Sequence, residues 1–127
     1  MAKVVLDSSV LIALLSNSDV HHGAAVKATS TKNLYAISAV TLSEALIAPF
    51  RDGVKTGQEV RQVIKKSMNQ IIEIDEEIAT LAAQIRAERS LLLPDALISA
   101  TASRINAQLW TFDRSLAKIH KGSLLIS

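Results

Sequence analysis

The chain is expected to be an α/β protein with a central, mostly parallel sheet of about five strands flanked by helices in three layers. Three observations point there. Short apolar runs alternate with segments of helical periodicity, the pattern of strands joined by crossover helices. The length, 127 residues, suits one domain with a real hydrophobic core, residues 1–127. Apolar residues make up 49% and charged residues 20%, an ordinary balance for a compact fold that leaves little room for long disorder.

Taken in order, the apolar run Lys3 to Leu6 predicts the first strand, and helices follow near Val10 to Ser16 and His21 to Thr29. Leu34 to Ser38 reads as the second strand and Val40 to Ala48 as the helix after it. Pro49 to Gly57 reads as a loop, because Pro49, Asp52, Gly53 and Gly57 all disfavour regular structure. A helix is expected over Thr56 to Lys66 and a strand over Gln70 to Ile74. The clearest helix is Glu76 to Arg89, where Ile78, Leu81, Ala82 and Ile85 form one apolar stripe. Pro94 opens a further helix to Asn106, Gln108 to Thr111 is a strand, Arg114 to Lys118 a short turn, and Ser123 to Ile126 a last strand.

Several classes are disfavoured at once. The start, MAKVVLDSSVLIALLSNS, has the outline of a signal peptide, but Asp7 interrupts its apolar run. No uninterrupted apolar stretch reaches the roughly 18 residues that span a bilayer, so no membrane association and a cytoplasmic location are expected. With no cysteine, disulfides and thiolate metal sites are excluded. His21 and His22 are adjacent and point apart on a helix, and with His120 distant they make a poor zinc set. Ser8 and Ser9 lack the glycine-flanked elbow of a nucleophilic triad. Glu73, Asp75, Glu76 and Glu77 read as a helix start and solvated face, since acids near an amino terminus favour the helix dipole.

Four other acids do not dissolve so easily into local structure. Asp7 follows the first strand, Asp113 the Gln108 strand, Glu44 lies one turn into the helix after the second strand, and Asp95 opens a helix. Each has a local explanation: Asp7 and Asp113 as caps, Thr41 with Glu44 as a capping box, Asp95 as a dipole partner. Together they ask for more. In LLLPDALISATA, Asp95 shares a helix face with Ile98, Ala102 and Ile105, and Glu44 is aligned with Val40 and Ile47, so both sit on apolar faces where an unpaired charge is costly. The carboxyl ends of parallel strands lie at one edge, where such folds place ligands, so the four can converge. Crowded carboxylates raise one another's pKa values, and a divalent cation relieves that; all-oxygen donors favour a hard ion such as Mg²⁺.

The stretches VVLDSSVLIALL around Asp7, SAVTLSEAL around Glu44, LLPDALISATA around Asp95 and LWTFDRSL around Asp113 resemble, in order, the four acidic motifs of PIN-domain ribonucleases, especially the VapC toxins of prokaryotic type II toxin-antitoxin systems. The resemblance runs from Val4 to Leu116. Ser8 stands where many relatives have Thr, and Arg51 to Asn69 carries no matching motif.

The resemblance implies a PIN-like fold and an Mg²⁺- or Mn²⁺-dependent endoribonuclease leaving 5′-phosphate and 3′-hydroxyl ends. Asp7, Glu44, Asp95 and Asp113 would be catalytic, with Asp7 and Asp95 the principal metal ligands. Asp113 and Glu44 would bind through water or hold a second ion. Ser9 and Thr111 would orient carboxylates. It also implies an RNA substrate, a homodimer and a cognate VapB-like antitoxin that wraps a groove between helices. Setting these four acids aside leaves 14 basic side chains against eight acids, a balance of +6 that suits a polyanion. Arg51, Lys55, Arg114, Lys118 and Lys121 flank the site in sequence, though a surface role explains each equally well. Only four aromatic residues are present, with Trp110 and Phe112 bracketing a buried-looking strand end, so a broad base-stacking platform is not expected. Two alternatives compete: a catalytically silent PIN module that binds RNA or protein, and a phosphorylated receiver domain. The receiver would want paired acids after the first strand and a lysine near the last, which LDSS and LLIS do not supply.

Overall fold

The computed structural model describes residues 1–120 and 123–126. Five strands, β1 (Lys3–Leu6), β2 (Leu34–Ser38), β3 (Gln70–Ile72), β4 (Gln108–Thr111) and β5 (Ser123–Leu125), form one sheet in the order β3-β2-β1-β4-β5. Every pairing is parallel, with Val5 beside Ala36 on one side and Leu109 on the other. The chain therefore builds outward through β2 and β3, then crosses back to lay β4 against the free side of β1.

Side chains of adjacent strand residues point to opposite faces, and each face acquires its own core. Val5, Ala36, Ile72 and Leu109 face α5 (Glu76–Glu88), α6 (Leu93–Arg104) and α7 (Arg114–Ile119), where Ile78, Ala82, Ile98, Ala102 and Leu116 are buried. Val4, Leu6, Ile37 and Trp110 face α1 (Ser8–Leu15), α2 (His22–Thr29), α3 (Ala39–Asp52) and α4 (Val54–Ser67), burying Val10, Leu11, Ala45 and Ile64. Helices on both faces explain why the strands read as continuous apolar runs rather than alternating ones.

The largest departure from the sequence reading is at residues 49–57. The expected loop is helical except at Gly53: α3 continues through Pro49 to Asp52, and α4 begins at Val54. Gly53 alone breaks the path, with φ 144° and ψ 159°, a backbone that a residue with a Cβ rarely adopts. Gly57 is a packing residue: a Cβ there would meet the Phe50 ring at 2.2 Å, so its absence lets α3 and α4 pack closely as a hairpin. Helix continues through Pro49 despite the lost backbone donor. The third strand is also shorter than expected, ending at Ile72, because Asp75 caps α5 by accepting from the Ile78 N–H at 2.8 Å. Glu76 and Glu77 then occupy the first turn of α5, in keeping with the solvated reading of that acid run.

Candidate active site

Strand order reverses between β1 and β4, and the crevice beyond their carboxyl ends is where an open parallel sheet leaves room for a ligand. Asp7 and Asp113 stand at those two strand ends. Asp7 caps α1: its Oδ1 accepts from the Val10 N–H at 3.1 Å and from the Ser9 hydroxyl at 2.6 Å, while Oδ2 accepts from the Thr111 hydroxyl. Only 4% of Asp7 is exposed. Thr111 also accepts from the Asp113 N–H at 2.8 Å, and Ser9 accepts from the Phe112 N–H at 3.2 Å. Ser9 and Thr111 thus tie the end of β1 to the end of β4 through the Asp7 carboxylate.

Asp113 is exposed and caps α7 through the Ser115 N–H at 2.8 Å. Asp95 lies half-buried in the first turn of α6, whose amino end reaches the carboxyl edge because the helix must run back before entering β4. Ile98 and Ala102 on its face are buried and Ile105 half-buried, as the periodicity implied. Glu44, half-buried on α3, accepts through Oε1 from the Ser8 hydroxyl, which also lies 3.4 Å from the buried Thr41 hydroxyl. The Thr41–Glu44 capping box is absent: Ser38 caps α3 by accepting from the Val40 N–H, which frees Glu44 to meet Ser8. Nor is Ile47 part of a buried stripe with Glu44; it is 49% exposed, and Thr41, Ala45 and Leu46 turn inward instead. The Ser8 contact was missed by sequence reasoning, and the serine following Asp7 was its only signal.

The charges of the other three acids reach Asp95. Burial pushes the Asp7 carboxyl up, hydrogen bonds from Ser9, Thr111 and Val10 oppose this, and the charge of Asp113 adds to it. Asp95 is pushed up to about 6, first by burial and then by Asp113, Asp7 and Glu44. No lysine or arginine offsets this: among the described residues the ion pair found is Arg104 with Glu77, on the outer surface of α5 and α6. Of the flanking cations inferred from sequence, Arg51, Lys55, Arg114 and Lys118 are exposed, and Lys121 lies outside the described residues.

Among the described residues, no three His, Cys, Asp or Glu side chains are drawn together as a ready-made metal cage. Mg²⁺ commonly takes one or two carboxylates directly and keeps waters in the rest of its shell, so it needs no such cage. The all-oxygen, cation-free donor set fits that ion. The histidines go elsewhere. The Nδ1 of His22 meets the Ala13 carbonyl at 2.7 Å, the Nδ1 of His120 meets the buried Ser99 hydroxyl at 2.6 Å, and His21 stacks on Phe112.

The profile of one protein family, the PIN domain, matches residues 4–122. No curated protein matches the sequence. Among solved structures, a toxin-antitoxin complex from Klebsiella pneumoniae contains a chain 28% identical, with 95% of each chain covered and a TM-score of 0.80. A sarcin-ricin loop cleaving VapC toxin from Mycobacterium tuberculosis is 20% identical, covering 91% of this chain and 93% of that one, with a TM-score of 0.76. A DNA-bound VapBC from Salmonella typhimurium is 19% identical over 97% and 96% of the chains, with a TM-score of 0.73. The last two, below a quarter identical, bear on the fold.

Proposed function

The chain belongs to the PIN domain family, and from that premise we propose that it is a metal-dependent endoribonuclease that cleaves RNA phosphodiester bonds as the toxin of a toxin-antitoxin pair. The observation that carries this reading is a set of four carboxylates in which the charges of Asp7, Glu44 and Asp113 all bear on Asp95, with no cationic side chain of the described residues paired to any of them. A fold does not retain such a cluster for stability.

Asp7 and Asp95 would hold Mg²⁺ or Mn²⁺ directly, with Asp113 and Glu44 acting through water or holding a second ion. The ion, when bound, supplies a lowered water pKa and neutralises charge building on the phosphate. The remaining work belongs to the chain. Ser9, Thr111 and the Val10 N–H fix both oxygens of Asp7 so that its position changes little as charge moves. Ser8 fixes Oε1 of Glu44. Asp95, with its pKa near 6, can hold a proton on an Oδ in the absence of a cation and release it as one enters.

A groove of about 450 Å³ between α1, α3 and α4 opens beside Glu44 and is lined by Ile12, Leu15, Ala45, Ala48 and Val63. It suits an apolar antitoxin segment that brings a basic side chain toward the acids. Ile47 and Phe50 leave apolar surface exposed on the outer side of α3, which suits a second copy of the chain. The test is cleavage of total cellular RNA by wild type, Asp7→Asn and Asp95→Asn, each with Mg²⁺, Mn²⁺ or chelator. Cutting is expected only from wild type with metal. Equal cutting by a folded double variant would overturn the catalytic assignment, and no cutting by any sample would favour a binding module.

A further inference from the structure

Beside the acid pocket stands a feature the proposed chemistry does not use. The imidazole of His21 lies nearly parallel to the Phe112 ring, with centroids 4.3 Å apart and planes 15° from parallel. Phe112 sits between the two residues that frame the site, Thr111, which donates to Asp7, and Asp113. Its N–H is held by Ser9, which itself donates to Asp7. Phe112 is half-buried against the core under α1 and α2, so its ring is a fixed base for whatever lies on it.

The backbone of His21 is held at both its N–H and its carbonyl. Its N–H donates to Oδ1 of Asp19 at 2.8 Å, its carbonyl accepts from the Ala25 N–H at 2.9 Å as α2 begins, and the adjacent His22 ring is fixed on the Ala13 carbonyl. Yet His21 is exposed. One face of the imidazole is spent on Phe112, which leaves one face for any further stacking. The remaining aromatics are occupied elsewhere: Trp110 is buried edge-on to Tyr35, the Tyr35 hydroxyl is engaged with Thr31, and Phe50 covers Gly57. The His21–Phe112 pair is thus the aromatic surface that the fold presents at the carboxyl edge of the sheet.

We propose that the outer face of His21 is a stacking subsite for one unpaired base of the RNA, next to the phosphate held at the four acids. This rests on the ribonuclease reading given above. A base suits the position better than a phosphate does, because stacking needs no net charge and tolerates neighbouring carboxylates, whereas a second phosphate would be repelled by them. Only a nucleotide freed from a duplex can offer its face, so the subsite selects loops, bulges and single strands. Through Phe112 and Ser9, base binding is mechanically continuous with the Asp7 carboxylate, so His21 acts as a positioning residue for the adjacent phosphodiester.

The experiment measures binding of a fluorescein-labelled single-stranded adenosine octanucleotide, with Ca²⁺ in place of Mg²⁺, to wild type, His21→Ala and His21→Tyr. A parallel series replaces each base in turn by an abasic site. His21→Ala is expected to weaken binding on the order of tenfold, and His21→Tyr to retain wild-type affinity to within about threefold, since it keeps a ring. At one position the abasic oligomer should bind wild type more weakly yet bind His21→Ala no worse than the intact oligomer does, the signature of a shared contact. Intact RNA bound equally by wild type and His21→Ala would overturn the subsite and leave the nuclease reading standing. So would a loss in His21→Ala that is the same for every abasic position. Failure of wild type both to bind the oligomer and to cut cellular RNA would remove the nuclease reading and the subsite with it.

Discussion

Asp95 is where burial and mutual repulsion are most plainly opposed to stability. Its carboxyl is pushed up to about 6 from 3.8, so the folded chain holds the proton more tightly than the unfolded one. The stabilisation this proton supplies is full below 3.8 and is lost as pH rises through about 6. In chelator, Asp95→Asn should therefore be more stable than wild type at pH 7 by about 1 to 2 kcal/mol, allowing for solvent screening of a half-buried group. The advantage should shrink as pH falls toward 4, as measured by urea unfolding at several pH values; a pH-independent difference would contradict the electrostatic account. Thr111 is the complementary case. Thr111→Val removes the hydroxyl shared by Asp7 and the Asp113 N–H, and should cost about 1 to 3 kcal/mol in the same assay. Cleavage should fall by roughly 10- to 100-fold, because a carboxylate that has lost an orienting partner binds metal poorly. The acid positions were readable because carboxylates after strands are visible in any sequence. The Ser8–Glu44 bond was not, since it joins residues 36 apart whose approach depends on how α3 packs across α1.

The helices and strands follow from local pattern almost everywhere, with β1, β2 and β4 beginning and ending where periodicity and composition place them. The failure at 49–57 is instructive because all four residues involved, the helical Asp52 included, are strong local signals. Pro49, Asp52, Gly53 and Gly57 each predict a break, and only Gly53 makes one. Gly57 serves instead to let Phe50 pack where its side chain would be, a contact between two elements that no window of one element contains. Gly57→Ala should then destabilise the fold by about 1 to 3 kcal/mol through overpacking, despite alanine's better helix propensity. Phe50→Leu should recover part of this in the double variant. A stabilised Gly57→Ala protein, measured by thermal unfolding, would mean that the α3–α4 contact yields more easily than the 2.2 Å approach implies.

At the level of the whole molecule, strand order makes the site. Because β4 returns to the free side of β1, the ends carrying Asp7 and Asp113 become neighbours, and α6 and α3 deliver Asp95 and Glu44 to the same edge. On the proposed reading, a cation bound there would stabilise the whole fold by mass action, so Mg²⁺ at about 100 times its Kd should add about 2.7 kcal/mol and raise the melting temperature by several degrees. The double variant Asp7→Asn, Asp95→Asn should show no such rise. The affinity of wild type should weaken as pH falls through about 6, because protons compete at Asp95. A melting temperature indifferent to saturating Mg²⁺ would count against the metal reading. By itself the sequence determined the class of fold, the strands, and which four acids were available, because hydrophobic period and strand-end carboxylates are local facts. Only the tertiary structure decided that the charges of Asp7, Glu44 and Asp113 bear on Asp95 without a paired cation, that helix runs through Pro49, and that an exposed histidine rests on Phe112. Each is a meeting of distant segments, fixed by the order in which parallel strands assemble and by which side chains then compete for the same space.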